Sequence, residues 1–119
     1  MLRRLLETGQ RTHVPELTPR EANERVLSGE AVLVDVREEA EWENGRIPGS
    51  VHVPLSQIRK RGKRGLPEDK EIVFVCRSGA RSALAAAKLS EYDALKTANL
   101  AGGVMAWVRE GLPFEETFG

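Results

Sequence analysis

The residues best suited to chemistry in this sequence lie in one short segment, 76–82, which reads CRSGARS. A cysteine sulfur is a nucleophile only as the thiolate. The small residues Ser78, Gly79 and Ala80 let backbone N–H groups converge on one point, and a helix expected directly after them adds its positive end. We therefore predict that Cys76 is a nucleophile whose thiol pKa is lowered.

Two arginines and a serine complete this segment. The guanidinium groups of Arg77 and Arg81 suit oxyanions. We expect a structural ion pair for Arg77 ahead of substrate contact, and for Arg81 both roles stay equally open. Ser82 is expected to cap the helix or to donate to the loop. The alternative, that Cys76 is an ordinary core residue, leaves the flanking arginines and the glycine unexplained.

Composition narrows the classes of protein. The chain has 119 residues, enough for one small core, and its 18 basic and 18 acidic side chains cancel. No overall field favours nucleic acid or a membrane surface, and no apolar run reaches the roughly 20 residues of a membrane span. One cysteine excludes an internal disulfide, and His13 and His52 stand apart from other ligands, so we expect no metal. A free cysteine without a signal-peptide pattern predicts a cytoplasmic protein.

Short apolar runs alternate with helical patterns along the chain. Strands are predicted over 31–36, 50–53, 71–76 and 97–100, and helices over 18–28, 38–43, 78–90 and 103–110. This alternation predicts an α/β fold with a mainly parallel central sheet and helices on both faces. Parallel strands end at one edge, so Asp35, Arg37 and Cys76 are expected to share one crevice. Trp42 and Trp107 are expected to anchor the core.

Four segments resemble the single-domain rhodaneses, a family of sulfurtransferases. In chain order they read LVDVREEAEW, GRIPGSVHVPL, IVFVCRSGARS and LAGGVMAWVREGLP, and they span 33–113. The resemblance implies the three-layer rhodanese-like fold over 15–119, preceded by an extension over 1–14. It also implies a persulfide on Cys76, formed from a small anionic donor such as thiosulfate and discharged to cyanide or a thiol, with no metal or organic cofactor.

The resemblance also assigns roles to individual residues. Cys76 matches the nucleophile of the family, and 77–81 match the rest of its six-residue loop. Asp35 matches the aspartate of the first segment, and we expect it to pair with Arg77 at the rim of the loop, with Arg37 in support. Ser78 stands where well-studied thiosulfate enzymes of the family carry a second basic residue.

Two other functions compete with a small-molecule enzyme. Tyrosine phosphatases, the related cell-cycle phosphatases and arsenate reductases use Cys-x5-Arg, whereas Arg81 follows Cys76 after four residues and Ser82 takes the arginine's place. The shorter loop suits one sulfur atom better than a phosphate. The other alternative is a relay, in which a protein such as a cysteine desulfurase charges Cys76 and a protein acceptor discharges it. A third alternative, a rhodanese-like domain without catalytic activity, is disfavoured because the cysteine is present.

A basic segment over 59–64, which reads RKRGKR, bears on that relay. We expect it on an exposed loop, with charges on Arg59, Lys60, Arg61, Lys63 and Arg64. A solvated loop is the simpler interpretation, and a docking patch for an acidic protein or steering of anionic donors is the functional one. No aromatic residues interleave with these charges, so nucleic acid is not expected as a partner.

Overall fold

The computed structural model describes residues 14–116 of the chain. The helices in this range are α1 (Pro19–Leu27), α2 (Glu39–Asn44), α3 (Leu55–Arg61), α4 (Ala80–Leu89) and α5 (Gly103–Arg109). The strands are β1 (Glu16–Leu17), β2 (Ala31–Asp35), β3 (Gly45–Arg46), β4 (Val51–His52), β5 (Glu71–Val75), β6 (Lys96–Leu100) and β7 (Glu115–Glu116). The predicted extension over 1–14 lies outside the described residues apart from Val14.

Five strands form one parallel sheet in the order β1-β6-β5-β2-β4. The central strands β2 and β5 run side by side, with Asp35 opposite Val75. A separate antiparallel pair joins β3 to β7, so the tail predicted as loop over 112–119 contains a short strand. The predicted α/β fold with a mainly parallel sheet is confirmed.

Helices cover both faces of this sheet because the side chains of each strand alternate in direction. One face packs against α1 and α5, in a cluster that includes Leu33, Val75, Ala22 and Trp107. The other face packs against α3 and α4, in a cluster that includes Phe74, Cys76, Ile58, Ala85 and Ala86. The cysteine therefore lies on the α3 and α4 side of the sheet, where two buried alanines let α4 approach closely.

Local signals explain where two helices begin. Thr18 caps α1, since its Oγ1 accepts the Glu21 N–H at 3.1 Å while the Glu21 carboxylate accepts the Thr18 N–H at 2.9 Å. The helix predicted over 78–90 starts later, at Ala80, because Gly79 adopts φ +107°, which is outside the helical region. Ser78 and Gly79 thus belong to the loop after the cysteine.

Two sequence expectations need correction. The basic segment over 59–64 is not a loop throughout, because 59–61 form the last turn of α3 before Gly62 ends it with φ +63°. Trp107 is a core anchor with 1% exposure, whereas Trp42 is only half-buried. Trp42 lies on α2, and none of the side chains of α2 is buried in the core. No helix within 14–116 is long and apolar enough to cross a membrane.

Candidate active site

Cys76 lies directly after β5, the middle strand of the sheet. Ligand crevices of parallel sheets form beyond the carboxyl ends of the strands, and this is where the cysteine leaves β5. Its side chain is 1% exposed. The loop over 76–79 then turns the chain into α4, which packs back on the same face of the sheet.

Hydrogen bonds to the Cys76 sulfur come from the loop and from α4. The Gly79 N–H lies 3.0 Å from Sγ, and the Ser82 hydroxyl lies 3.3 Å from it. Ser82 is fully buried in the first turn of α4, so its hydroxyl reaches the sulfur from within the protein. Of the two roles expected for Ser82, the structure thus shows donation to the loop and not a side-chain helix cap.

These donors lower the pKa of the Cys76 thiol. Burial is the largest single influence and by itself raises the pKa of Cys76. The hydroxyl of Ser82 and the backbone N–H groups of Ser82, Gly79 and Ser78 act in the opposite direction, because they stabilise the thiolate. Together they outweigh burial, so the pKa of Cys76 lies below its ordinary value. The N–H and O–H donors of the site therefore stabilise the Cys76 thiolate relative to that of an ordinary cysteine.

The beginning of α5 fixes the direction of the loop peptides. The Val104 N–H donates to the Cys76 carbonyl at 2.8 Å, and the Met105 N–H donates to the Arg77 carbonyl at 3.1 Å. In a trans peptide the C=O and N–H groups point in opposite directions. Turning the Arg77 carbonyl toward α5 therefore turns the Ser78 N–H of the same peptide away from it, toward the sulfur. The direction of the loop's peptide groups is thus set by α5, a helix that follows the loop by more than twenty residues.

Gly103 makes this contact possible. A Cβ on Gly103 would overlap the Cys76 carbonyl oxygen and lie 2.5 Å from the Arg77 carbonyl oxygen. Its φ of +60° also favours glycine. On the other side of the loop, the buried amide of Asn99 donates to the Gly79 carbonyl at 3.1 Å. The loop is therefore held by backbone and side-chain donors from both β6 and α5.

The structure places Arg81 in an ion pair that sequence reasoning missed. Its two terminal nitrogens each lie 2.8 Å from a different oxygen of Glu41. The hydrogen bond to Arg81 is the main reason why the pKa of Glu41 falls to about 2, and the same bond raises the pKa of Arg81. Arg81 is therefore tied to α2. The two partners are forty residues apart, and neither the spacing nor the composition pointed to them.

The prediction that Asp35 pairs with Arg77 is wrong. The Asp35 carboxylate instead accepts from Arg37, whose Nε lies 3.0 Å from both oxygens and whose backbone N–H lies 2.9 Å from Oδ1. Arg37 also donates to the Gly45 carbonyl at 2.7 Å, so it joins β2 to β3. Asp35 is opposite Val75 in the register, and its side chain therefore emerges on the other face of the sheet from Cys76.

The remaining loop residues face outward. Arg77, Ser78 and Ala80 are exposed, and Arg77 forms no ion pair with any residue in the described range. The structural ion pair expected for Arg77 is thus not found. The loop consequently presents one unpaired guanidinium and the backbone N–H groups around a buried sulfur. Within 14–116, no three His, Cys, Asp or Glu side chains form a group that could hold a metal ion.

An aromatic stack supports α2 beside the site. The rings of Trp42 and His52 stack with centroids 4.7 Å apart. The Arg46 guanidinium lies over the Trp42 ring, 4.7 Å from its centroid, in a cation–π contact. A ring nitrogen of His52 also lies 2.8 Å from the Arg37 carbonyl oxygen. This stack joins α2 to β4 and thereby holds Glu41, the neighbour of Trp42, against Arg81.

An α/β domain with a cysteine at the carboxyl end of its central strand, followed by a short loop and a helix, has known relatives. The family model described as the rhodanese-like domain matches residues 18–110. The chain belongs to this family. The predicted membership is therefore confirmed, and with it the rhodanese-like version of the three-layer fold.

Individual relatives agree with this assignment. The chain is 40% identical over 101 residues to a protein named sulfurtransferase from Allochromatium vinosum, covering 84% of this chain and 94% of that one. It is 37% identical to "Putative sulfur carrier protein YrkF" of Bacillus subtilis, covering 79% of this chain and 51% of YrkF. The crystal structure of a rhodanese-related protein from Thermoplasma volcanium matches with a TM-score of 0.76 and 31% identity, over 85% of this chain and 97% of that chain.

Proposed function

We propose that this protein is a sulfurtransferase that carries sulfane sulfur as a persulfide on Cys76. In the first half-reaction the thiolate attacks the outer sulfur of a donor such as thiosulfate. The new bond joins Sγ to that sulfur, and sulfite leaves with the electron pair of the broken S–S bond. In the second half-reaction a thiolate or cyanide attacks the outer sulfur, and the Cys76 thiolate is regenerated in a ping-pong cycle.

The observation that carries this proposal is the set of donors around Sγ. The Gly79 N–H and the Ser82 hydroxyl already point at the sulfur, at 3.0 and 3.3 Å. The thiolate needed for attack is favoured by these bonds, and backbone donors of the loop remain available to the charge of a persulfide. Donors fixed before the reaction stabilise charge without any reorganisation during it. No redox partner is required, because the sulfur moves between two sulfur or carbon nucleophiles.

A thiosulfate-to-cyanide assay tests this proposal on the wild type and on Cys76→Ser. We expect thiocyanate from the wild type and none above background from the variant. Intact-mass spectra after incubation with thiosulfate should show one added sulfur atom on the wild type, removable by cyanide, and none on Cys76→Ser. If no donor adds sulfur to the folded wild type, the proposal is wrong.

The second candidate function is a protein-to-protein sulfur relay, and the basic segment over 59–64 favours it. Its residues Arg59, Lys60, Arg61 and Arg64 are exposed, while Lys63 pairs with Glu68 at 2.9 Å. Ile58 of the same helix packs in the cluster that contains Cys76, so α3 lies on the cysteine's side of the sheet. The similarity to YrkF, which is named as a sulfur carrier, agrees with this function.

A charge-reversal experiment separates the relay from the small-molecule enzyme. The triple variant Arg59→Glu, Lys60→Glu and Arg61→Glu should slow charging by a cysteine desulfurase at low salt, because it removes the attraction for an acidic surface. Charging by a small donor should change far less. Lys88→Glu, on an exposed position of α4, is the control for added negative charge. Equal charging of all three proteins by the desulfurase contradicts a docking role for this segment.

A further inference from the structure

The carboxylate of Glu41 is a charged group at the candidate site that the persulfide cycle does not use. It lies on α2 and binds both terminal nitrogens of Arg81 at 2.8 Å. Glu41 and Arg81 are both partly shielded, with side chains 29% and 33% exposed. The pair is therefore accessible enough to affect the binding of an incoming sulfur donor. It is also shielded enough from water for the ion pair to persist.

This pairing changes the charge that a donor meets. Arg81 lies in the first turn of α4, next to Ser82, whose hydroxyl is 3.3 Å from Cys76 Sγ. Without Glu41 it would present a full positive charge and two free N–H groups to an anion. With Glu41 bound, that charge is cancelled and those N–H groups are occupied. Arg77 is then the one loop cation in the described range that is not in an ion pair.

We propose, on the basis of the proposed function, that Glu41 is a specificity-determining residue that acts through Arg81. By neutralising this guanidinium it disfavours sulfur donors with two negative charges, such as thiosulfate, and leaves the site selective for donors with one charge or none. The chemical class that fits is a thiol persulfide, R–S–SH or its anion. Such a donor has a single ionisable sulfur at its reactive end.

The transfer from a thiol persulfide balances without any further reactant. The Cys76 thiolate attacks the outer sulfur of R–S–SH, the bond from Sγ to that sulfur forms, and the S–S bond of the donor breaks. The thiolate R–S⁻ leaves with the electron pair, and the proton stays on the transferred sulfur. With thiosulfate the same attack releases sulfite, which carries two negative charges away from a site with little positive charge to hold them.

The test compares two donors that differ by one charge. Thiosulfate is a dianion, and methanethiosulfonate is a monoanion that also delivers its sulfur from a sulfonyl group. We expect Glu41→Gln to raise kcat/KM for thiosulfate about tenfold, which corresponds to about 1.4 kcal/mol, and to change kcat/KM for methanethiosulfonate no more than about threefold. The glutamine can still accept the Glu38 N–H that Glu41 Oε1 now accepts at 2.9 Å, so the start of α2 is preserved.

The matched control is Glu39→Gln. Glu39 lies on the same helix, is exposed, and has no ion pair in the described range, so this variant removes an equal charge without releasing Arg81. It should leave the ratio of the two kcat/KM values within about twofold of wild type. The double variant Glu41→Gln with Arg81→Met removes both charges and should return the ratio to the wild-type value. Even where Glu41→Gln alone folds poorly, a raised ratio in this double variant would contradict the role given to Arg81.

The outcomes separate this inference from the proposed function. An unchanged donor ratio in folded Glu41→Gln, or an equal change for both donors, overturns the specificity role and makes the pair a structural tie. The same holds if the double variant keeps a raised ratio. A further expectation is that 2-mercaptoethanol persulfide charges wild-type Cys76 faster than thiosulfate does. If instead the wild type accepts sulfur from none of the three donors, the proposed function itself fails.

Discussion

Gly103 offers the sharpest test of how the loop around Cys76 is held. In Gly103→Ala the new methyl group would overlap the Cys76 carbonyl oxygen and lie 2.5 Å from that of Arg77, about 1 Å inside van der Waals contact. The loop and α5 must then separate. The bonds from Val104 and Met105, at 2.8 and 3.1 Å, lengthen or break.

The size of the effect follows from three contributions. An alanine at the φ of +60° costs about 1–2 kcal/mol. Losing two backbone hydrogen bonds costs about 0.5–1.5 kcal/mol each. We therefore expect Gly103→Ala to lower the free energy of unfolding by about 2–5 kcal/mol. Because the Ser78 N–H loses its direction toward the sulfur, the pKa of Cys76 should also rise.

Gly111→Ala is the matched control for this variant. Gly111 has a φ of +77°, and apart from its chain neighbours no atom of residues 14–116 lies within 4 Å of a Cβ built on it. It should lose only about 1–2 kcal/mol of stability and leave the thiol pKa unchanged. Urea unfolding measures the stability, and the rate of iodoacetamide alkylation against pH measures the thiol pKa of the folded protein. Equal stability and equal alkylation profiles for the two variants would refute the role of Gly103.

Three further predictions rest on single contacts. Ser82→Ala removes the hydroxyl that lies 3.3 Å from Sγ, so the midpoint of alkylation against pH should shift to higher pH. The control Ser56→Ala, at an exposed position of α3, should leave this midpoint unchanged. An unchanged midpoint in both variants would show that the Ser82 hydroxyl does not stabilise the thiolate. Arg37→Ala leaves the fully buried Asp35 carboxylate without its side-chain partner and should cost about 3–5 kcal/mol in urea unfolding, against less than about 0.5 kcal/mol for Arg77→Ala. Equal costs would contradict the stabilising role of the Asp35–Arg37 pair. Glu41, with a pKa of about 2 in the folded protein against 4.5 ordinarily, contributes stability above pH 4.5 that is lost as the pH falls from there to about 2. After allowance for solvent screening this contribution is about 1–2 kcal/mol, and acid unfolding of Glu41→Gln should lack it, whereas an identical pH profile would contradict the pairing.

The sequence predicts well what depends on neighbours along the chain. The Thr18 cap, the strands around Leu33 and Val73 and the Cys76 loop all have local signals, and the structure contains each of them. The sequence pattern predicts the start of α4 two residues too early, because a left-handed Gly79 cannot be distinguished by pattern from a helical one. The membership of the family followed from four such local segments in order.

What the sequence could not predict are contacts between distant residues. The Glu41–Arg81 pair joins helices α2 and α4, and any of several acidic residues in 38–43 had the same local character. Asp35 was assigned to the wrong arginine because the resemblance supplied a loop arginine, whereas the strand pleat sends its side chain to the opposite face. From the sequence, Arg37 and Arg77 are equally suitable partners for Asp35, and only the structure shows that the partner is Arg37.

The anchors of the loop explain why a buried cysteine can still be reactive. A buried thiol alone would be less acidic than a free one, because a thiolate is poorly tolerated away from water. Here the Cys76 and Arg77 carbonyls are held by α5 and the Gly79 carbonyl by Asn99, and the Ser78 N–H, which lies opposite the Arg77 carbonyl in its peptide, is thereby turned toward the sulfur. The ordering that activates the thiol is thus completed when β6 and α5 pack, before any donor arrives. It follows that thiol acidity and the stability of the α5 contact are coupled, and that variants which loosen this contact should lose both together.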